Sequence, residues 1–216
     1  MHIPDGFLDA KTWISLSVVS AGLVCYSAGA INKNIVKDSE NEKRIPLMGV
    51  MAAFIFAAQM LNFPVAGGTS GHFMGGVLAA VLLGPLTGLL ILSAVLIVQC
   101  FVFQDGGLTA LGANIFNMGL VGSFAGYYIY FAGEKILGRI VPKFASAFIA
   151  GWVSIVLAAS FCAVELAVSG TVPLGTALPA MAGVHALIGI GEGLVTVAAL
   201  GFINKTRPDL LKLHKI

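Results

Sequence analysis

The sequence predicts an all-α integral membrane protein in which about seven transmembrane helices form one bundle. Composition is the first reason, because 58% of the 216 residues are hydrophobic and only 10% are charged. The mean hydropathy of +0.96 lies outside the range of soluble domains. Segment length is the second reason, since a spanning helix needs roughly 20 apolar residues and seven candidate stretches occur. The formal net charge of +2 gives no basic field for nucleic acid.

Each apolar stretch is expected to be helical, because backbone groups in lipid must be hydrogen-bonded within a helix or a closed barrel. No strand-like alternation competes with this prediction. The stretches run over residues 12–31, 45–63, 70–83, 86–103, 113–132, 144–168 and 179–203, and the third is short. The chain is therefore predicted to be a single membrane domain over residues 1–216. Residues 1–9 precede the bundle, and residues 204–216 form a tail.

The basic residues indicate how this bundle is oriented. Eleven of the twelve follow the first, fifth or seventh stretch, and only Lys11 falls on the other side. The positive-inside rule makes the basic side cytoplasmic. The N-terminus is then outside a multi-pass protein of the cell membrane, and the C-terminal tail is cytoplasmic. The eleven residues are Lys33, Lys37, Lys43, Arg44, Lys135, Arg139, Lys143, Lys205, Arg207, Lys212 and Lys215.

The first two residues, Met1 and His2, offer a chelate to a metal ion. The opening lacks the basic n-region of a signal peptide, so Met1 is expected to remain at the N-terminus. Its α-amine, the His2 backbone nitrogen and His2 Nδ1 can close one five-membered and one six-membered ring on a single ion. Three nitrogens in one plane suit Ni(II) or Cu(II), and the open fourth position calls for a second histidine. The alternative is a histidine that stands at position 2 by chance.

The glycine-rich joint between the second and third stretches is predicted to lie on the outer side. Gly67, Gly71 and Gly75 recur at a spacing of four, and with Gly76 they would let a helix or the N-terminal segment approach closely. Plain helix packing is the alternative. His72 is a candidate for the fourth nitrogen, because an imidazole at membrane depth needs a partner or a metal. A hydrogen bond to a neighbouring helix is the other interpretation.

Polar residues near the predicted site have two interpretations each. Asn114 and Asn117 could hydrogen-bond the metal-binding segment or hold the histidine ring by its other nitrogen, and they could equally join helices. Asp5 could orient the chelating segment or partly offset the charge of the metal, and exposure without a role is the alternative. Ser70 is placed with these supporting residues. Gln99 is assigned to contacts between helices.

Three ionisable residues, Glu165, His185 and Glu192, lie inside the last two stretches. Such residues are functional candidates in a membrane, so a proton relay is one interpretation. An internal pair that locks two helices together is favoured over it.

Four motifs carry a resemblance to a known family. They are MHIPDGFL at 1–8, GGTSGH at 67–72, FQDGGLTALGANIFNMG at 103–119 and GEG at 191–193. With these motifs the chain resembles the nickel/cobalt substrate-binding component of energy-coupling-factor transporters, the CbiM/NikM family. The likeness runs from residue 1 to about residue 203. Pro4 and Asp5 are closer to the nickel type than to the cobalt type.

The resemblance implies a set of metal ligands, namely the Met1 amine, the His2 amide nitrogen, the His2 imidazole and the His72 imidazole. It implies Ni2+ or Co2+ as the transported ligand, with cobalt feeding cobalamin synthesis, and no organic cofactor. It also implies a transmembrane coupling protein and a cytoplasmic ATP-binding protein as partners, and it allows a small accessory membrane subunit.

The chain has no Gly-x-x-x-x-Gly-Lys-Ser/Thr motif, so it is predicted to be a transporter component without its own ATPase site and not an enzyme. Energy must come from the partners. Gly49, Ala53 and Ala57, at a spacing of four on the second stretch, form a small-residue stripe that could receive the coupling protein. Packing inside the bundle is the alternative.

Two functions of other classes remain open from the residues. The letters GTSG at 68–71 match the Gly-x-Ser-Gly of rhomboid-type intramembrane serine proteases, with Ser70 as nucleophile and His185 as its base. That match is short and leaves the N-terminal chelate unexplained. An ion-coupled secondary carrier that works through His185, Glu165 and Glu192 is the third hypothesis.

Overall fold

The computed structural model describes residues 1–37, 44–65, 69–137 and 143–215, and helices dominate it. A π-helix joins α5 to α6, a 3₁₀ helix follows α8, and two strands stand between α2 and α3. The helices are α1 (Ala10–Lys37), α2 (Arg44–Gln59), α3 (Gly76–Leu83), α4 (Pro85–Phe103), α5 (Leu111–Asn114), the π-helix (Ile115–Ala125), α6 (Gly126–Leu137), α7 (Lys143–Val168), α8 (Leu174–Thr206) and the 3₁₀ helix (Pro208–Lys215). The strands are β1 (Asn62–Val65) and β2 (Thr69–His72).

Within the described part of the chain, four helices are long and apolar enough to cross a membrane, namely α1, α4, α7 and α8. The α2 helix is apolar but shorter. α5, the π-helix and α6 follow one another without a break and together cover the fifth predicted stretch. A mostly helical membrane protein is thus confirmed. The count of about seven spanning helices and the sides of the two termini stay predictions.

The third predicted stretch, 70–83, is not a continuous helix, and the expectation of a chain without strands is wrong. β2 pairs antiparallel with β1, so that Asn62 faces His72 and Val65 faces Thr69 across the pair. α3 supplies the helical remainder of the stretch. β2 is largely buried and pairs with β1, whereas β1 is exposed at Asn62, Phe63 and Pro64.

Glycine explains why α3 is short. Gly75, its N-cap, has a φ of 73°, a left-handed conformation that other residues rarely adopt. Gly71 lies so close to α8 that a Cβ atom there would be 2.6 Å from Ile188 Cδ1. The hairpin is therefore in close contact with α8. Gly67 and Gly68 of the same joint lie outside the described residues.

Two buried clusters fill the bundle, one toward each end of the α7–α8 pair. The first contains Met1 and Ile3, neither with any exposed surface, packed among residues of the π-helix, α7 and α8. The second joins α2, α3 and α4 to Ala147 and Leu200, and Leu211 of the 3₁₀ helix packs against it. The first three residues of the N-terminal segment, residues 1–9, are therefore inserted into the bundle.

α8 begins earlier than predicted, at Leu174 instead of residue 179, and the preceding joint is correspondingly shorter. Pro179 lies inside the helix near its N-terminal end. A proline there removes one hydrogen bond but leaves the following turns intact. The other end of α8 meets the start of α7, where a Cβ on Gly201 would be 3.4 Å from the Phe144 ring.

Apart from Lys11 at the start of α1, the described basic residues lie toward the end of the bundle away from Met1. Lys33 lies near the C-terminal end of α1, a helix of 28 residues that is about 42 Å long. Lys205 is in the last turn of α8. Two other residues of the predicted basic side, Lys43 and Arg139, lie outside the described residues.

Candidate metal centre

The N-terminal segment enters the bundle beside strand β2. The Met1 α-amine donates a hydrogen bond to the Ser70 carbonyl oxygen, and it lies 3.4 Å from Ser70 Oγ. The chain terminus is thus held against the hairpin at Ser70, which is two residues before His72.

The imidazole of His2 stacks on the imidazole of His72. Their ring centroids are 4.5 Å apart, and their planes differ by 30°. His72 has no exposed surface, and His2 is 4% exposed. The structure therefore brings together the terminal amine and both histidines, although the two rings are 70 residues apart in the chain.

Hydrogen bonds determine which ring nitrogen of each histidine is unprotonated. His72 Nδ1 is 2.7 Å from the Phe73 carbonyl oxygen, which can only accept, so Nδ1 carries the proton. His2 Nε2 is 3.1 Å from Gln99 Oε1 and donates to it. The remaining nitrogens, His72 Nε2 and His2 Nδ1, are buried and have no hydrogen-bond partner in the described part of the chain. Each ring therefore presents a free lone pair.

Asn114, at the end of α5, holds the main chain just after His2. The Ile3 N–H donates to Asn114 Oδ1 at 2.8 Å, and Asn114 Nδ2 donates to the Ile3 carbonyl oxygen at 3.2 Å. The Gly107 N–H donates to the same carbonyl oxygen at 2.8 Å. These three bonds fix the backbone of Ile3, the residue that follows His2.

Asp5 joins the N-terminal segment to the α4–α5 joint. Its carboxylate accepts hydrogen bonds from Thr109 Oγ1 at 2.5 Å, the Thr109 N–H at 2.7 Å and the Leu108 N–H at 3.0 Å. These bonds, led by the Thr109 hydroxyl, hold the pKa of Asp5 below its usual value. A Cβ on Gly107 would be 2.3 Å from the Asp5 backbone nitrogen, so the joint fits the segment only with glycine there.

The end of the segment is tied to the α7–α8 joint. Thr171 Oγ1 donates a hydrogen bond to the Phe7 carbonyl oxygen. Asp9 Oδ1 accepts from the Thr12 N–H and from Ser169 Oγ, both at 3.2 Å. Asp9 therefore caps α1 and anchors it to α7 at the same time.

Two residues that sequence analysis did not assign to the site contact His2. One is Gln99, whose amide holds the ring, a role that sequence analysis had offered as one alternative for Asn114 and Asn117. The other is Asp105, whose Oδ1 lies 3.3 Å from His2 Nδ1, within ion-pair distance but without hydrogen-bond geometry. The sequence signal for Asp105 is its place as the one acid of residues 104–112, between the fourth and fifth predicted stretches. Gln99 carries no signal that separates it from a polar contact between helices.

Asn117 instead serves a different contact. Its Nδ2 donates to Glu165 Oε2 at 2.7 Å, which joins the π-helix to α7. Both residues are buried.

Glu192 and His185, on α8, contact the hairpin region. Glu192 accepts hydrogen bonds from the backbone N–H groups of Met74 and Gly75, both at 2.8 Å. His185 Nδ1 lies 2.7 Å from the Met181 carbonyl oxygen one turn earlier in α8. Glu192 therefore fixes the chain that leaves β2 directly after His72.

Burial leaves the nitrogen donors of the N-terminal segment uncharged near neutral pH. It lowers the pKa of the Met1 α-amine from 8.0 to about 5. Burial, with the charge of the amine, lowers the pKa of His2 to about 3. At the edge of the site burial raises the pKa of Asp105. Amine and imidazole are thus already in the form that binds a metal.

No group of three or more His, Cys, Asp or Glu side chains in the described part of the chain is placed to hold a metal ion. The centre built by Met1, His2 and His72 consists instead of one amine, one backbone nitrogen and two imidazoles. Such a donor set is rich in nitrogen and fits Ni(II), Co(II) or Cu(II) better than Mg(II) or Ca(II), which prefer oxygen.

The small-residue stripe Gly49, Ala53 and Ala57 lies exposed on α2. A Cβ on Gly49 would meet nothing within 4 Å. This face of α2 is therefore open in the single chain.

Comparison with known proteins places the whole bundle in one family. Residues 2–210 match the family model described as the cobalt uptake substrate-specific transmembrane region, CbiM. The chain belongs to the CbiM family. It is a multi-pass membrane protein, as the four apolar helices of the described part also indicate.

Relatives of this CbiM-family chain carry nickel and cobalt transport names. A putative fused nickel transport protein NikMN of Archaeoglobus fulgidus is 44% identical over 214 residues, which is 98% of this chain and 68% of that protein. A cobalt transport protein, CbiM 2, of Pelobacter propionicus is 37% identical over 222 residues, 99% of this chain and 96% of that one. A crystal structure of a transition metal transporter superposes with a TM-score of 0.86 at 34% identity, over 100% of this chain and 97% of that chain.

Proposed function

We propose that this chain is the substrate-capture subunit of an ATP-driven importer for Ni2+ or Co2+. In this proposal the ion is held by the Met1 α-amine, the His2 amide nitrogen, His2 Nδ1 and His72 Nε2. One observation carries it. His2 Nδ1 and His72 Nε2 are buried beside the buried chain terminus, and both are unprotonated because the other nitrogen of each ring carries the proton.

Coordination chemistry supports this donor set. The amine and the amide nitrogen close a five-membered ring on the ion, and the amide nitrogen and Nδ1 close a six-membered one. The amide nitrogen binds the ion only after losing its proton, so binding of the ion releases at least one proton. The fourth in-plane position falls to His72, whose Nδ1 bond to Phe73 turns Nε2 into the free donor.

Transport follows from this capture step. The ion arrives from outside the cell membrane, loses its water and is buried between the N-terminal segment and the hairpin. It is released inward when ATP-driven partners reorient the bundle. A transmembrane coupling protein and a cytoplasmic ATP-binding protein supply that energy, with a small accessory membrane subunit in addition. The exposed stripe of Gly49, Ala53 and Ala57 is the proposed contact surface for the coupling protein.

The contacts of Ser70 and His185 argue against the protease alternative. The Ser70 carbonyl and hydroxyl groups face the Met1 amine. His185 approaches the hairpin at Gly71, on the face of β2 that contacts α8. A carrier driven by Glu192 is likewise disfavoured, because both of its carboxylate oxygens accept backbone hydrogen bonds.

The proposal is tested by adding one alanine before Met1 in a protein that carries its affinity tag at the C-terminus. The extension moves the amine away from the His2 amide, so Ni2+ binding measured by calorimetry should be lost while thermal stability is retained. One alanine added after Ile216 is the matched control and should bind normally. Ser70→Ala should also keep metal uptake in cells, whereas a serine protease would lose its activity. Unchanged binding by the N-terminally extended protein would refute the site.

A further inference from the structure

Asp105 is the group around His2 that reaches solvent. Its side chain is 23% exposed, and the His2 side chain beneath it is 3% exposed. The other described side chains that contact His2, or hold Ile3 after it, are buried: His72 and Gln99 have no exposed surface, and Asn114 is 1% exposed. An ion that approaches His2 Nδ1 from solvent therefore meets the Asp105 carboxylate first.

The backbone around Asp105 is built to deliver that carboxylate. Gln104 has a φ of 55°, a left-handed conformation that is strained for a residue with a Cβ. The Asp105 N–H donates to the Gln99 carbonyl oxygen at 3.0 Å, which ends α4 and turns the chain back over the site. Gly106 follows with a φ of 94°, and a Cβ there would be 3.1 Å from Asn114 Nδ2 and 3.3 Å from His2 Cδ2. The turn thus lies directly on the His2 ring.

Charge gives Asp105 a second role in the loaded site. A divalent ion brings two positive charges, and the deprotonated His2 amide offsets one of them. The amine and the imidazoles add none when they bind as neutral donors. One positive charge would remain in a buried site, which is unfavourable in a medium of low dielectric constant. The carboxylate 3.3 Å from His2 Nδ1 is placed to offset it.

We propose that Asp105 is the outer ligand of this metal site: its carboxylate captures the hydrated divalent ion, passes it to His2 Nδ1 and stays as the counter-charge of the bound complex. The inference rests on the proposed function, because it takes the four nitrogen donors as the final ligands. Carboxylate oxygen binds divalent ions while they keep most of their water. Nitrogen donors then replace the water inside.

The experiment measures Ni2+ association by stopped flow with the full-length protein, its native N-terminus free, in detergent. Asp105→Asn keeps the shape and removes the charge. Because a charge at the mouth of a site acts on the association rate and its salt dependence, we expect the rate to fall by about tenfold and most of its dependence on ionic strength to disappear. The absorption band of Ni2+ in a planar nitrogen field should be unchanged at saturation.

Two variants serve as controls. Asp105→Glu keeps the charge and should restore most of the association rate. Asp9→Asn removes a charge from the same end of the bundle, where Asp9 caps α1 and accepts from Ser169, and asparagine is also a good helix cap. Its association rate should equal that of the wild type.

The outcomes separate this inference from the function on which it rests. Equal rates for the wild type and Asp105→Asn overturn the role of Asp105 and leave the nitrogen site standing. A changed Ni2+ band in Asp105→Asn, with the Asp105→Glu band normal, overturns it as well, because Asp105 would then be a ligand of the final complex. If the wild type gives no nitrogen-type band at all, the proposed function itself fails.

Discussion

The side chain of Gln99 decides which edge of the His2 ring is offered to a metal. Its Oε1 accepts the proton of Nε2, so the lone pair lies on Nδ1. That nitrogen is the one near enough in the chain to the His2 amide to close a six-membered ring. The Phe73 carbonyl acts in the opposite sense on His72 and leaves Nε2 free. One histidine is thus prepared to bind through Nδ1 and the other through Nε2.

The pH dependence of binding follows from the protonation states of these donors. Above pH 5 the Met1 amine, with its pKa of about 5, is already neutral, so the His2 amide proton is the one that must leave. The dissociation constant for Ni2+ should therefore rise by about tenfold per unit as the pH falls from 8 to 6. Below about pH 5 the amine is protonated in the free site, and the slope should steepen. Calorimetry in buffers of different ionisation enthalpy also counts the protons released. A flat titration from pH 8 to pH 5 would exclude the chelate.

At the scale of elements, strand β2 has two faces with different neighbours. Ser70 and His72 face the N-terminal segment. The other face meets α8, where Thr69 Oγ1 donates to Met181 Sδ at 3.0 Å and Gly71 packs on Ile188. The position of His72 therefore depends on how closely α8 supports the hairpin from behind.

Gly71→Ala tests that dependence. The new Cβ would be 2.6 Å from Ile188 Cδ1 and 3.3 Å from Val65 Cγ2, so the Ile188 side chain, the hairpin or α8 must move. Overpacking of this kind costs about 1–3 kcal/mol. We expect a lower melting temperature together with Ni2+ affinity reduced by about tenfold, since 1.4 kcal/mol corresponds to that factor.

The controls for Gly71→Ala lie in α8. Gly183→Ala places a methyl group where nothing lies within 4 Å, and it should leave affinity unchanged and raise helix stability slightly. Ile188→Ala combined with Gly71→Ala makes room for the new Cβ and should recover binding. Gly71→Ala with wild-type affinity would show that His72 does not rely on α8.

At the scale of the whole molecule, the site and the described basic residues other than Lys11 lie at opposite ends of the bundle. This arrangement fits the predicted topology, with Met1 toward the outside and α8 ending in the cytoplasm. Leu108, 57% exposed in the joint beside Asp5, and Arg207, just after α8, mark the two ends.

Cysteine labelling checks that topology. In a background with Cys25, Cys100 and Cys162 replaced, Leu108→Cys should react with a membrane-impermeant maleimide on intact cells. Arg207→Cys should react only after the cells are opened, because the cytoplasmic side is shielded by the membrane. Ni2+ uptake by both variants serves as the control for folding. The reverse labelling pattern would invert the orientation.

Hydropathy predicted the long helices well because lipid and protein both require apolar side chains. α4 was expected over 86–103 and is Pro85–Phe103, and α7 was expected over 144–168 and is Lys143–Val168. The hairpin was missed, since two strands of four residues with glycine between them carry too little alternation to be seen beside apolar helices.

The site was predictable in part. Coordination chemistry made Met1 and His2 a candidate chelate, and the cost of an imidazole in lipid made His72 a candidate fourth donor; the structure brings these residues together, and their role as ligands stays a proposal. Gln99 was out of reach because nothing in the sequence separates it from a polar residue between helices, and the acid at Asp105 gave a signal that only the packed bundle connects to His2. Asn117 illustrates the converse, because its spacing from Asn114 suggested a shared role and the π-helix directs it to α7.

The bonds that hold the N-terminal segment have a consequence for biosynthesis. Its residues at positions 1, 3 and 7 are hydrogen-bonded to Ser70, Asn114 and Thr171. Glu192 accepts a hydrogen bond from the backbone that follows His72. The amine is the first atom of the chain to be made, yet its place exists only after the last helix has been inserted. In the proposed site, a growing chain therefore lacks the assembled set of donors until α8 has been inserted.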